Sequence, residues 1–150
     1  MDLLDVNDRT FESLVVGETA SLTKDITGQA VARFVELSGD DNPMHVDEAY
    51  AQSTPFRGRI AHGQLVAAPI SALAGRFLPG KRGLLLEVRA QFVQPVAIGD
   101  RLTYRGVIAH RSEATRTIKV RVEVTNQDGI AVLRGSYESR VLDHPTQAAS

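Results

Sequence analysis

The sequence has no cysteine in its 150 residues. That excludes a disulfide scaffold, a thiolate zinc site and a cysteine nucleophile. Nor does it carry an excess of one charge: 17 Lys+Arg stand against 18 Asp+Glu, a formal net charge of −1. Nucleic acid is therefore not expected as a partner, because phosphate binding needs a concentrated basic surface. No apolar run approaches the roughly 18 residues that a membrane span requires, so no membrane association is expected. The first residues, Met1-Asp2-Leu3-Leu4-Asp5-Val6-Asn7-Asp8, lack a basic region followed by an apolar stretch, and so do not read as a secretory signal. The expected location is cytoplasmic. Internal repeats, low-complexity tracts and linkers are also missing.

What is present reads as globular. With 43% hydrophobic and 23% charged residues, the chain has the composition of a folded protein. Its length suits one domain over residues 1–150, and the polar tail 143–150 is expected to be flexible. The first half reads as helices. Thr27 is placed to cap a helix over Gly28–Ser38, whose Val31, Phe34, Val35 and Leu37 recur at helical spacing, and Gly39 sits where a left-handed residue would end it. Asp47 is placed to cap a short helix through Glu48–Ala51, which Pro55 closes. From Gly63 to Phe77 the chain is apolar nearly all round, which predicts one long buried helix. Pro69 conflicts with a regular helix there, because it removes a backbone bond and clashes with the preceding turn.

The second half reads as strands. Ile118, Val120, Val122 and Val124 alternate with Lys119, Arg121, Glu123 and Thr125, a period of two with one wet face. Leu102, Tyr104 and Ile108 follow the same rule. Asn126-Gln127-Asp128-Gly129 is a hairpin turn. Leu84–Val93 and Ile130–Leu142 add two strands, and Ala20–Ile26 offers an early one. The fold class is therefore α+β: an antiparallel sheet of about five strands wrapped around a long central helix. Such a sheet has open edges, and pairing two copies would cover one, so a homodimer or higher homo-oligomer is expected.

Two segments carry chemistry. In Ser38-Gly39-Asp40-Asp41-Asn42-Pro43-Met44-His45-Val46-Asp47, Gly39 and Pro43 punctuate a loop. A turn there can bring the Asp40 carboxylate to the His45 imidazole, a general acid/base pair able to share one water. In Ile60-Ala61-His62-Gly63-Gln64-Leu65, Gly63 precedes the apolar helix. Its backbone N–H, at a helix N-terminus and approachable for want of a side chain, is suited to hold an oxyanion or enolate.

Asp40-x-Asn42-Pro43-x-His45-x-Asp47 followed by Ile60-Ala61-His62-Gly63 resembles the hydratase motif of the MaoC-like (R)-specific enoyl-CoA hydratases. Leu78-Pro79-Gly80-Lys81 and Phe92-Val93-Gln94-Pro95-Val96-Ala97-Ile98-Gly99-Asp100 extend the likeness. The resemblance implies a single hotdog fold with a segment overhanging the sheet. It also implies reversible syn addition of water to trans-2-enoyl-CoA, giving (R)-3-hydroxyacyl-CoA, on short to medium acyl chains. It assigns Asp40 and His45 to the catalytic dyad and the Gly63 N–H to the thioester oxygen. Asn42 would support the loop, with His62 beside it. The acyl-CoA thioester is then the substrate; no cofactor and no metal are required. Departures are Gln64, where many members have Met, and Pro69.

Around these, Asp41 reads as a solvated carboxylate and Asp47 as a cap; His110 and His144 receive no role. Ser71 is a candidate for lining the acyl pocket. Arg57, Arg59, Lys81, Arg82 and Arg89 are candidates for the CoA phosphates. An acyl-CoA thioesterase is the first alternative. Thioesterases of this fold place an acidic residue on or near the central helix, and none lies between Gly63 and Phe77. The second alternative, a non-catalytic acyl-CoA-binding subunit, would be expected to lose Asp40 or His45, and both are present.

Overall fold

In the computed structural model, which describes residues 6–143, the alternating segments become one five-stranded sheet. Its strands are β1 (Thr19–Asp25), β2 (Gly83–Phe92), β3 (Arg101–Ser112), β4 (Thr117–Thr125) and β5 (Ala131–Val141), in the order β1-β3-β4-β5-β2, and every pairing is antiparallel. The period of two holds: Ile118, Val120, Val122 and Val124 face the core while Lys119, Arg121 and Glu123 face water. The hairpin between β4 and β5 is closed by Asn126, whose Oδ1 accepts the N–H groups of Asp128 and Ile130. Gly129 supplies the positive φ of 75° that the turn requires. The expected flexible tail lies, apart from Asp143, outside the described residues.

The first helix forms as its caps predict. Helix α1 spans Gly28–Ser38, Thr27 Oγ1 accepts the Ala30 N–H at 3.0 Å, and Gly39 adopts φ 77° with its N–H on the Val35 carbonyl. Two short helices follow. The one capped by Asp47, α3 (Glu48–Ser53), was expected from sequence. The other, α2 (Pro43–Val46), corrects the reading of that stretch as a loop. Asn42 Oδ1 accepts the Met44 N–H, and Pro43 needs no donor at the first helical position, so one helical turn forms.

The long central helix is corrected too: it is segmented. Helix α4 runs Gly63–Ala67, α5 runs Ile70–Ala72, and a π-helical turn covers Leu73–Phe77. Pro69 is the cause. It has no N–H for the Leu65 carbonyl, which instead accepts from Ala68 at 3.2 Å, and the Val66 carbonyl takes the hydroxyl of buried Tyr104 at 2.6 Å. Burial pushes the Tyr104 phenol well above its ordinary pKa, so it remains a donor. The segmented helix buries Val66, Ile70, Leu73 and Ala74 in the same core as Tyr104, Ile108, Val120 and Tyr137 of the sheet. Its outer stripe is not buried in the isolated chain: Gln64, Ala68, Ser71 and Gly75 are exposed. The sheet edge β2 is also open, with Leu84 at 49%, Leu86 at 52% and Phe92 at 48% exposure. Among the described residues no helix is long and apolar enough to cross a membrane.

Candidate active site

The left-handed turn at Gly39 ends α1 and hands the chain to a tight loop. Ser38 Oγ accepts the Asp40 N–H, and Asp40 Oδ1 accepts the Asn42 N–H at 3.2 Å. Asn42 then caps α2, which carries His45 on its single turn. His45 Nδ1 lies 2.7 Å from the Ile60 carbonyl oxygen. A carbonyl can only accept, so Nδ1 carries a proton, and in the neutral form of the ring the lone pair lies at Nε2.

His62 is tied to the other member of the pair. Its Nε2 donates to the Asp40 backbone carbonyl at 2.9 Å. The ring is 2% exposed and stacks on His45, with centroids 3.9 Å apart and planes at 31°. Phe34 of α1 lies on it at 4.8 Å. Its Nδ1 is buried with no partner among the described residues. Polar atoms of Asp40, His45 and His62 all lie within 4.8 Å of one another. The Asp40 side chain is exposed and that of His45 half-buried, so the dyad opens to solvent on one side and rests on a buried ring on the other.

Gly63 opens α4 and, with His45, lines a cavity of ≈ 400 Å³. Phe56, Ile60, Val66, Phe92 and Val96 make most of its wall, so the space beside the imidazole is apolar. Among the described residues the Gly63 N–H has no protein acceptor. The expected macrodipole of a long helix is absent, because α4 has only 5 residues; the donor acts as a single N–H. The phenyl ring of Phe92 lies against the Gly63 Cα, and a Cβ at that position would meet the ring at 3.2 Å. A side chain at position 63 would therefore crowd Phe92.

Asp40, His45, His62 and Gly63 come together; the remaining sequence candidates do not. Asn42 acts as a cap. Ser71 lines a different cavity, with Ala74, Leu85 and Ser139. Arg57 lines an open groove with Gln52 and Pro55. Arg82 is paired with Asp8 at 2.5 Å, and Lys81 lies 4.0 Å from the same carboxylate. Arg89 is paired with Glu87 on the β2 edge. Sequence reasoning did not name Phe56 and Phe92 as cavity walls; the signal for Phe92 was its place at the head of the Phe92–Asp100 segment, several of whose residues line the same cavity. Arg59, one of the five candidates for the CoA phosphates, donates from its Nε to the His45 carbonyl at 2.6 Å.

Asp40, His45 and His62 are also the set among the described residues that could hold a metal ion. Tetrahedral zinc needs donors about 3.3 Å apart. Here one nitrogen of each ring is given to a carbonyl, which leaves His45 Nε2, His62 Nδ1 and the Asp40 carboxylate as the available donors.

The chain is similar to several known proteins. It is 46% identical over 93 residues to an (R)-specific enoyl-CoA hydratase of Rhodospirillum rubrum, covering 62% of this chain and 65% of that protein. The chain thus spans just under two thirds of that relative's length. It is 36% identical over 124 residues to an (R)-specific enoyl-CoA hydratase of Aeromonas caviae, covering 83% of this chain and 92% of that one. Among solved structures, an (R)-hydratase from A. caviae involved in PHA biosynthesis superposes with a TM-score of 0.85 at 34% identity, covering 87% of this chain and 99% of that one. That likeness extends over sheet and central helix together, which makes the architecture a hotdog fold. The MaoC like domain family matches residues 15–129, a stretch that holds the Asp40–His45 loop, the Gly63 cavity and most of the sheet, and the chain belongs to that family.

Proposed function

We propose that the protein is an (R)-specific enoyl-CoA hydratase, a lyase that adds water reversibly to trans-2-enoyl-CoA. The observation that carries this reading is the facing of Asp40 and His45 beside an apolar cavity that also presents the Gly63 N–H. One water held between the carboxylate and His45 Nε2 would stand on one face of the substrate double bond. Its oxygen forms the bond to C3 while the π electrons move toward C2 and the thioester oxygen. The Gly63 N–H meets that developing charge, and loss of one such donor typically costs about 10²–10³ in rate. The dyad takes a proton from the water and C2 receives one from the dyad, so H and OH arrive on the same face and the dyad returns to its starting state.

The acyl chain enters the apolar cavity, and the CoA thioester is itself the only organic group that the reaction needs. The relatives' names support this substrate class, as does the apolar lining. We read the working unit as a homodimer joined at β2. Its exposed leucines would be covered by a second copy, and Phe92, on the same strand, walls the cavity, which places the site beside that interface. The expected location is the cytoplasm.

The test follows absorbance of the enoyl thioester in crotonyl-CoA and longer enoyl-CoAs, with Asp40→Ala and His45→Ala alongside. Turnover by the wild type and a loss of at least about 10²-fold in each variant are expected. Absence of turnover on every chain length, or full activity in both variants, overturns the reading. Free CoA without hydroxyacyl product would point to thioester hydrolysis, and chiral analysis of the product tests the (R) assignment.

A further inference from the structure

Helix α2 is a single turn, so its stability comes from outside itself. The carbonyls of its last turn are satisfied by different means. Pro43 O accepts from the Asp47 N–H at 2.9 Å, Met44 O accepts from the Ile60 N–H at 3.3 Å, and His45 O accepts from Arg59 Nε at 2.6 Å. Ile60 O in turn accepts from His45 Nδ1 at 2.7 Å. Arg59 and Ile60 therefore hold Met44 and His45 through three hydrogen bonds. The same segment is anchored below: Ala61 N–H donates to Val96 O at 2.8 Å, and Ile60 forms a bridge with Ala97. Of the three bonds, only the guanidinium contact is made by a side chain of the Arg59-Ile60 segment. Arg59 is partly buried and has no ion-pair partner among the described residues, so its charge is not there to balance a carboxylate.

We propose that Arg59 is a positioning residue for the hydration reaction: by capping the carbonyl of His45 it fixes the catalytic turn against Ile60 and so sets the His45 ring in the tautomer and place that the dyad needs. This rests on the hydratase reading of the site. A guanidinium suits the task, since a charged donor bonds a carbonyl more strongly than a neutral one and its planar N–H groups have fixed directions. A lysine ammonium at the same place would keep the charge and lose the direction. Arg59 acts through His45, and the effect belongs in kcat: a misplacement of about 1 Å in a reacting group can cost on the order of 10²-fold.

The experiment compares wild type, Arg59→Ala and Arg59→Lys in steady-state hydration, with thermal unfolding to identify folded variants. We expect kcat to fall about 10–100-fold in both variants with KM within about threefold. Added guanidinium ion should restore part of the rate to Arg59→Ala and none to Arg59→Lys. In parallel, ¹⁵N-histidine spectra, with His45 assigned from His45→Ala, should show one Nδ1–H tautomer in the wild type and averaging between tautomers in Arg59→Ala. If Arg59→Ala does not fold, Arg59→Lys carries both measurements. A rise in KM at unchanged kcat would make Arg59 a ligand of the CoA phosphates and overturn the proposal. So would unchanged kinetics, or an unchanged His45 tautomer in the variant. If the wild type hydrates no enoyl-CoA, the hydratase reading fails, and the spectra alone still decide whether Arg59 orders His45.

Discussion

Replacing Gly63 with alanine separates two reasons for a glycine at the cavity mouth. The substitution keeps the backbone N–H, and no unusual backbone angle stands in its way. The added Cβ would lie 3.2, 3.2 and 3.3 Å from Cε1, Cζ and Cε2 of Phe92. Carbon atoms prefer about 3.5–4.0 Å, so the ring must retreat by a few tenths of an ångström. Phe92 is 48% exposed on an edge strand, so the ring can move, and the cost should sit at the low end for overpacking, about 1 kcal/mol. At this chain length that is a Tm drop of about 2–4 °C. The rate should suffer more, by about 10–100-fold in kcat/KM, because methyl and ring both crowd the donor that must meet the thioester oxygen. Adding Phe92→Ala removes the clash. In a four-way cycle of wild type, both single variants and the double variant, the coupling in stability and in rate should be about 0.5–3 kcal/mol. Hydration of crotonyl-CoA and thermal unfolding at fixed protein concentration read both. Strict additivity, or a fully active Gly63→Ala, would refute the argument that Phe92 and Gly63 form one contact.

Two further outcomes follow from the same physics. Tyr104→Phe leaves the Val66 carbonyl buried without its donor and should cost about 1–3 kcal/mol in chemical denaturation; no loss would mean that the carbonyl next to the Pro69 break finds another donor. The side-chain hydrogen bond from Arg9 holds the Glu18 carboxyl below its ordinary pKa, so its stabilising effect is full above the unfolded value and lost as pH falls through the folded one. Glu18→Gln should therefore be less stable than wild type at neutral pH, with the gap closing below about pH 4; a gap constant with pH would refute the pairing.

Much of this was legible because local rules decide it. Thr27, Gly39, Asp47 and the alternation through Ile118–Val124 each state a cap, a stop or a face within a few residues, and the structure follows them. The approach of Asp40 to His45 was legible for the same reason, from the turn that Gly39 and Pro43 mark. What escaped depends on partners distant in sequence. The Pro69 break is tolerated because Tyr104, on another strand, takes an orphaned carbonyl. His62 was placed only beside the site, since its bond to the Asp40 backbone needs the folded loop. Arg59 read as one cation among several until its bond to His45 was seen. Leu84–Val93 read as a strand, but the exposure of Leu84, Leu85 and Leu86 along it depends on its edge position in the sheet.

The strand order also sets the sequence of events in folding. Strands β3, β4 and β5 form a meander of near neighbours, closed by short turns. Strand β1 must find β3 across most of the first hundred residues, since Asp25 pairs with Arg101, and β2 must find β5, since Phe92 pairs with Leu133. Contacts so far apart carry the larger loop-closure entropy and tend to form late. Every group assigned to the chemistry lies in the stretch between β1 and β2. The meander can thus condense as a nucleus before the site exists, so substitutions at Asp40, Arg59 or Gly63 should change unfolding rates more than folding rates.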